Sequence, residues 1–179
     1  MFIEKKVRRY SLLDAGMVCK LMRTDGIFKT SGDDFSDVGK LACFVENNLR
    51  AQYVFVMGID PRHECFVFNP MHTTSCFVAH FAVHPAHRGP VAKQHLIESA
   101  RYVFQNSPCR AIMGFIRSAN LPARLFATDI GMKRIGRTHG TLMFDGCMED
   151  EIIYQCTLED FNEKYGATSG SVKDRIQKK

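Results

Sequence analysis

The sequence predicts an α/β (α+β) domain, a mixed central sheet of about seven strands flanked by about four helices. Three observations carry that expectation. Phe77 to Val83 are apolar or aromatic except for His80, the pattern of a strand buried on both faces. From Ala92 the residues Leu96, Ala100, Val103 and Phe104 return at helical spacing and mark one apolar face. A chain of 179 residues, 45% of them hydrophobic, fits one domain with a substantial core and leaves little for a second.

In chain order, residues 2 to 10 read as a short edge strand whose basic side chains discourage further pairing. Ser11 followed by Asp14 has the spacing of a capping box, and Leu12, Ala15, Cys19 and Met22 then keep helical period, so a first helix is expected from Ser11 to Arg23. Gly26 to Gly32 is a loop. Asp33 or Asp34 caps a second helix defined by Val38, Leu41, Ala42, Val45 and Leu49. Tyr53 to Ile59 and Glu64 to Phe68 are strands, the first stopped by Asp60 and Pro61. The strand to Val83 and the long helix come next. Arg110 to Ile116 is another buried strand, and Asn120 caps a short helix with Pro122 in its first turn and Gly131 at its close. Thr138 to Phe144 and Glu151 to Thr157 read as two final strands around the turn signal Asp145-Gly146, and Leu158 to Tyr165 as a last helical turn or two. Residues 1–165 thus form the domain, and 166–179, small, polar and basic, form a loose tail.

Composition narrows the function. A net charge of +5 and a pI near 8.9 suit an anionic ligand but fall short of a dedicated nucleic-acid binder. The basic tail residues Lys173, Arg175, Lys178 and Lys179 lack the aromatic interleaving of single-strand binders, and Trp is absent, so nucleic acid is not an expected partner. Seven cysteines without close paired spacing, most of them in apolar runs, read as reduced core thiols of a cytoplasmic protein. The N-terminal charges have no apolar stretch behind them and no segment nears the length of a membrane span, so neither secretion nor a membrane is expected.

The chemistry centres on His84 to Val91, where Pro85 stops the strand before the helix begins. Such a junction offers backbone N–H groups without partners and the positive end of a helix dipole, a site for a phosphate or pyrophosphate, and Arg88 and Lys93 add charge there. A metal is not expected. His80 and His84 stand about 13 Å apart along an extended strand, and His84 with His87 around the turn would supply only two ligands. Asp145, Glu149, Asp150 and Glu151 form an acidic cluster that fits a solvated turn or a cationic amine.

In order and spacing the chain resembles the GCN5-related N-acetyltransferase (GNAT) family from Phe2 to Leu158. AVHPAHRGPVAKQHLIESA resembles the acetyl-CoA pyrophosphate loop and its helix. Asn120, Ala123, Gly131 and Met132 match in register the later segment in which Asn and Ala precede a Gly-aromatic pair. KRIGRTHGTLMFDGCMEDEIIYQC is similar to the closing hairpin of the subgroup that acetylates protein N-termini and related amines. The resemblance implies a sheet splayed at a cofactor cleft, acetyl-CoA as co-substrate and acetyl transfer to an amine (a protein N-terminus, a lysine or a small molecule) by direct attack on the thioester. It implies pantetheine contacts from the backbones of Phe81 and Val83, a phosphate cradle from Arg88, Gly89, Val91, Ala92 and Lys93, and a cofactor contact from Asn120. The family usually has glycine where Val91 stands and glycine or alanine where Lys93 stands, and many members carry a thiolate-protonating tyrosine where Ala127 stands. Several acetyltransferase-like proteins of tailed bacteriophages are similar in lacking the second loop glycine, which suggests a host cytoplasm or a virion as the location.

The catalytic candidates are His80, Glu64 and Tyr154. His80 is the one polar residue of the central strand, and a histidine's ordinary pKa of about 6.5 suits a general base; the alternative is a core histidine satisfied by a carbonyl. Glu64 is a second candidate base and Tyr154, on the last strand, a candidate acid. The competing function, of another class, is a GNAT-fold binding or assembly protein that has lost catalysis, virion-associated or host-directed, with a stable partner protein. A monomer or a homodimer fits either.

Overall fold

The computed structural model describes residues 6–24, 27, 38–144 and 146–166. Residues 2 to 5 of the expected first strand, the caps Asp33 and Asp34, the loop 26–32 apart from Ile27, Asp145 and the tail beyond 166 lie outside the described residues. Among the described residues the elements run β1 (Arg8–Arg9), α1 (Ala15–Met22), α2 (Val38–Arg50), β2 (Phe55–Gly58), β3 (Glu64–Pro70), β4 (Cys76–Val83), α3 (Pro90–Asn106), β5 (Ala111–Arg117), α4 (Leu121–Asp129), β6 (Lys133–Arg137), β7 (Leu142–Phe144), β8 (Cys147–Glu149), β9 (Glu151–Thr157) and α5 (Leu158–Tyr165).

Seven strands form one mixed sheet in the order β1-β2-β3-β4-β5-β9-β6. Every pairing is antiparallel except β4 with β5, which run parallel around the α3 crossover. The period-two alternation of β3 divides the core. Phe66 and Phe68 point to one face, against Leu96, Ile97, Val103 and Phe104 of α3 and Phe161 of α5. Cys65 and Val67 point to the other, against Val18 and Leu21 of α1 and Leu41 and Val45 of α2. All four of these β3 side chains are buried, and burying each aromatic contributes about 2–3 kcal/mol.

Local sequence explains the helix ends. Asp14 accepts from the Ser11 backbone N–H at 2.8 Å and holds Arg8 in a two-pronged pair at 2.7 and 2.9 Å, so the residues that open α1 also anchor β1. A turn of 3-10 helix over Leu12–Asp14 precedes α1. Asn120 accepts from Ala123 N–H at 3.2 Å as the cap of α4, with Pro122 in the first turn as expected. Thr157 and Asp160 cap α5 reciprocally.

Three sequence expectations are corrected. The strand expected over Thr138 to Phe144 is confined to Leu142–Phe144, which pairs with Cys147–Glu149 in a separate two-stranded ribbon. The strand that joins the sheet is instead Lys133–Arg137, unrecognised because an exposed edge strand with three basic residues and a glycine shows no apolar alternation. The cysteines are less uniformly internal than expected: burial pushes the thiols of Cys65 and Cys109 up to about 12 and that of Cys156 to about 11, whereas Cys43 and Cys147 are exposed.

Candidate functional site

The parallel ladder between β4 and β5 is short. Cys76, Phe77 and Val78 pair with Ala111, Ile112 and Met113, and there the pairing stops, although β4 continues to Val83 and β5 to Arg117. The strands therefore splay at their C-terminal ends, and Ala79 to Val83 are in a strand ladder only on their β3 side. A crevice outside the carboxyl ends of parallel strands is where ligands enter open α/β sheets.

The turn that follows β4 lies at the mouth of this splay. A 3-10 turn over Pro85–His87 leads to Gly89, whose φ of +139° suits glycine and whose Cβ position has nothing within 4 Å. Gly89 gives α3 no side-chain cap, and Lys93 N–H is the donor to its carbonyl at 3.1 Å. The earlier amides, of Val91 and Ala92, precede the first intrahelical bond and face outward, while Pro90 has no N–H to offer. Arg88 folds back to the Val83 carbonyl at 3.3 Å. Lys93 crosses from the first turn of α3 to Asp129 at the end of α4, Nζ to Oδ2 2.7 Å, which raises the lysine's pKa and lowers the aspartate's.

Beneath this turn, between the sheet and α3, is a narrow apolar cavity of about 30 Å³ lined by Phe81, Leu96, Ile97, Ile112, Ile130 and Tyr165 among others. Phe81 closes one side of it by meeting Phe126 of α4 edge to face at 6.4 Å. The Tyr165 hydroxyl is buried without a hydrogen-bond partner among the described residues, and burial raises its pKa.

The catalytic candidates fall on different faces. His80 shares its face of β4 with Ala82, the side covered by α1 and α2, and it is exposed. Val78 and Met113 are paired, so two residues further on His80 and Phe115 occupy that same face on either side of the splay. Phe115 in turn lies opposite Ile153, and Ile153 opposite Gly136, giving a partly apolar floor beside His80. Glu64 and Tyr154 point to the other face, among the residues packed under α3. Both oxygens of Glu64 are engaged: Ile59 N–H donates to one at 2.8 Å, and His95 Nδ1 of α3 meets the other at 2.8 Å. Tyr154 packs opposite Gly114, in the core. Ala127 is buried in that core as well.

Sequence reasoning missed one cluster. His63, from the turn before β3, stacks on His87 with ring centroids 3.7 Å apart, and His84 lies edge-on to His87 at 5.7 Å, so the loop is tied to a turn distant in sequence. Desolvation and the neighbouring His87 lower the His63 pKa. Among the described residues no group of three or more His, Cys, Asp or Glu side chains is arranged to hold a metal ion. Within the acidic cluster Arg117 binds Glu149 at 2.9 Å, Arg137 binds Asp150 at 2.7 Å, and Thr141 donates to Glu151 at 3.3 Å. No helix among the described residues is long and apolar enough to cross a membrane.

Neither a protein-family model nor a curated protein sequence matches the chain. Solved structures do match it. Ribosomal-protein-S5-alanine acetyltransferase from Vibrio fischeri superposes with a TM-score of 0.71 at 13% identity, over 90% of this chain and 97% of that one. A GNAT-family acetyltransferase from Bacillus anthracis gives 0.70 at 18% identity, over 89% and 99%. Spermidine N-acetyltransferase from Vibrio cholerae, solved with CoA and spermine, gives 0.70 at 13% identity, over 87% and 96%. With the splayed parallel pair, the α3 crossover and the turn at its mouth, these superpositions establish that the chain has the GCN5-related N-acetyltransferase fold.

Proposed function

We propose that the protein is an acetyl-CoA-dependent N-acetyltransferase in which an amine attacks the thioester directly. The observation that carries this is the splay of β4 from β5 beyond Val78 and Met113, ending at the open Gly89 turn. The residues present suit the co-substrate. Phe81 and Val83 offer backbone groups along the open edge of β4. Gly89 leaves room for a phosphate to approach the amides of Val91 and Ala92, with Arg88 and Lys93 as counter-charges. Asn120, already capping α4, keeps its amide NH₂ for the second side of the cleft.

Acetyl-CoA supplies an activated acyl group; the protein must take a proton from the acceptor ammonium so that the neutral amine attacks, and exclude competing water. In this reading His80 is the proton acceptor; what supports it is that His80 lies on the side of the splay opposite α3, beside Phe115 and Ile153. Glu64 faces away from that side with both oxygens occupied, and Tyr154 is packed in the core opposite Gly114. The acceptor is a protein N-terminus, a lysine or a small-molecule amine.

The test is calorimetric titration of the protein with acetyl-CoA and, separately, CoA. Micromolar binding that Arg88→Glu weakens, followed by turnover on an amine panel, is the expected result. Absence of binding at millimolar ligand would overturn the transferase reading. Val91 in the loop and the ion pair already formed by Lys93 favour a second reading, a non-catalytic binding or assembly protein on the same fold, which predicts that outcome together with a stable protein partner.

A further inference from the structure

Lys93 and Asp129 come from different helices, and their pairing lies over the cavity rim. Lys93 is one helical turn before Ile97, and Asp129 immediately precedes Ile130, and both of those apolar residues line the cavity. The ion pair therefore bridges the first turn of α3 to the end of α4 above it. Asp129 is held from a second direction. Lys164 of α5 donates to its backbone carbonyl at 2.8 Å, and the carbons of that lysine lie where a Cβ on Gly131 would stand. The backbone of Asp129 is thus fixed while its side chain stays largely exposed, 61% accessible.

An ammonium in the first turn of a helix sits at the positive end of the dipole, where it is not favoured by the helix itself. The Asp129 carboxylate answers that lysine charge. It is also a charge that a bound phosphate would answer. We propose that in the empty protein the Asp129 carboxylate holds Lys93, and that a pyrophosphate-bearing ligand takes Lys93 over from it. Asp129 is then a residue that sets the affinity for phosphate-bearing ligands, which must displace it from Lys93, and leaves ligands without a phosphate unaffected. This rests on the cofactor placement proposed above.

The test compares wild type, Asp129→Asn, Lys93→Gln and the double variant by titration with CoA, 3′-dephospho-CoA and pantetheine, with a melting curve for each. Asp129→Asn keeps the backbone carbonyl that Lys164 binds and alters an exposed group, so its fold should be intact. The expected result is CoA binding tightened about two- to fivefold by Asp129→Asn, the range of an exposed ion pair. Pantetheine, which has no phosphate anion to compete, should gain nothing. Lys93→Gln should weaken CoA and erase the Asp129→Asn gain in the double variant. If wild type binds CoA and Asp129→Asn binds it no more tightly, or gains equally for pantetheine, the displacement idea fails while the cofactor reading stands. If wild type does not bind and Asp129→Asn does, the carboxylate is a full block. If neither binds, both fall.

Discussion

Glu64 of β3 and His95 of α3 meet at 2.8 Å under the sheet, while the second Glu64 oxygen accepts the Ile59 N–H at 2.8 Å. One carboxylate thus fastens the long helix to the strand and closes the turn after β2. Glu64→Ala is expected to cost about 1–2 kcal/mol in urea unfolding, because it removes the acceptor of the Ile59 N–H and the partner of the half-buried His95 imidazole. Glu64→Gln, which still accepts from Ile59, should cost less. Equal losses would show that the Ile59 bond contributes nothing.

His80 is exposed on the α1 and α2 face, so its removal should leave stability nearly unchanged. His80→Ala is expected to lower kcat by about 10²–10⁴, the usual contribution of a general base, and to remove the acidic limb of the pH–rate profile. A loss below about threefold in steady-state turnover would take His80 out of the chemistry.

The Arg8 guanidinium holds the Asp14 carboxyl below its ordinary value, with help from the Ser11 N–H. A carboxylate whose folded pKa is depressed adds stability that is complete above its unfolded pKa of about 3.9 and is lost as pH falls through the folded value. Arg8 is half exposed, which limits the pair to about 1 kcal/mol. Acid unfolding of Asp14→Asn should therefore run closer to wild type below about pH 3 than at pH 7. A constant difference across that window would assign the loss to capping alone.

Tyr10 passes over Gly58 to donate to the Glu64 carbonyl at 2.8 Å, and a Cβ on Gly58 would stand 2.2 Å from that hydroxyl. Gly58 also has φ +155°. Gly58→Ala should destabilise by about 1–3 kcal/mol. Tyr10→Phe in the same background should recover part of that loss, since it removes the clashing oxygen; a purely additive double variant in thermal melts would place the cost in the backbone alone.

The elements that were legible in the sequence are those whose burial is one-sided or complete. β3, β4 and β5 show as apolar runs, α3 as a repeating stripe, and Asn120 and Ser11 as caps because their oxygens have a fixed local task. β6 was missed because nothing in Lys133, Arg134 or Arg137 records that Ile152 to Gln155 lie alongside. The same limit hid the site's tertiary pairs. Lys93 and Asp129 are 36 residues apart, and Glu64 and His95 are 31 apart. Such contacts depend on how helices settle on the sheet, which no spacing rule encodes. His80 could be picked out as polar in an apolar strand, but the side it faces followed only from the register with Val67 and Met113.

The early end of the β4–β5 ladder leaves the sheet with two internal margins, one along Ala79 to Val83 and one along Gly114 to Arg117. Water must solvate the amides and carbonyls there while the cleft is empty. An extended amide-bearing arm of the pantetheine kind can take that place and serve as a borrowed strand, knitting the two halves of the sheet together. Occupancy would then be felt as cohesion: amide hydrogen exchange should slow along both margins at once, not only beside the ligand's charged end.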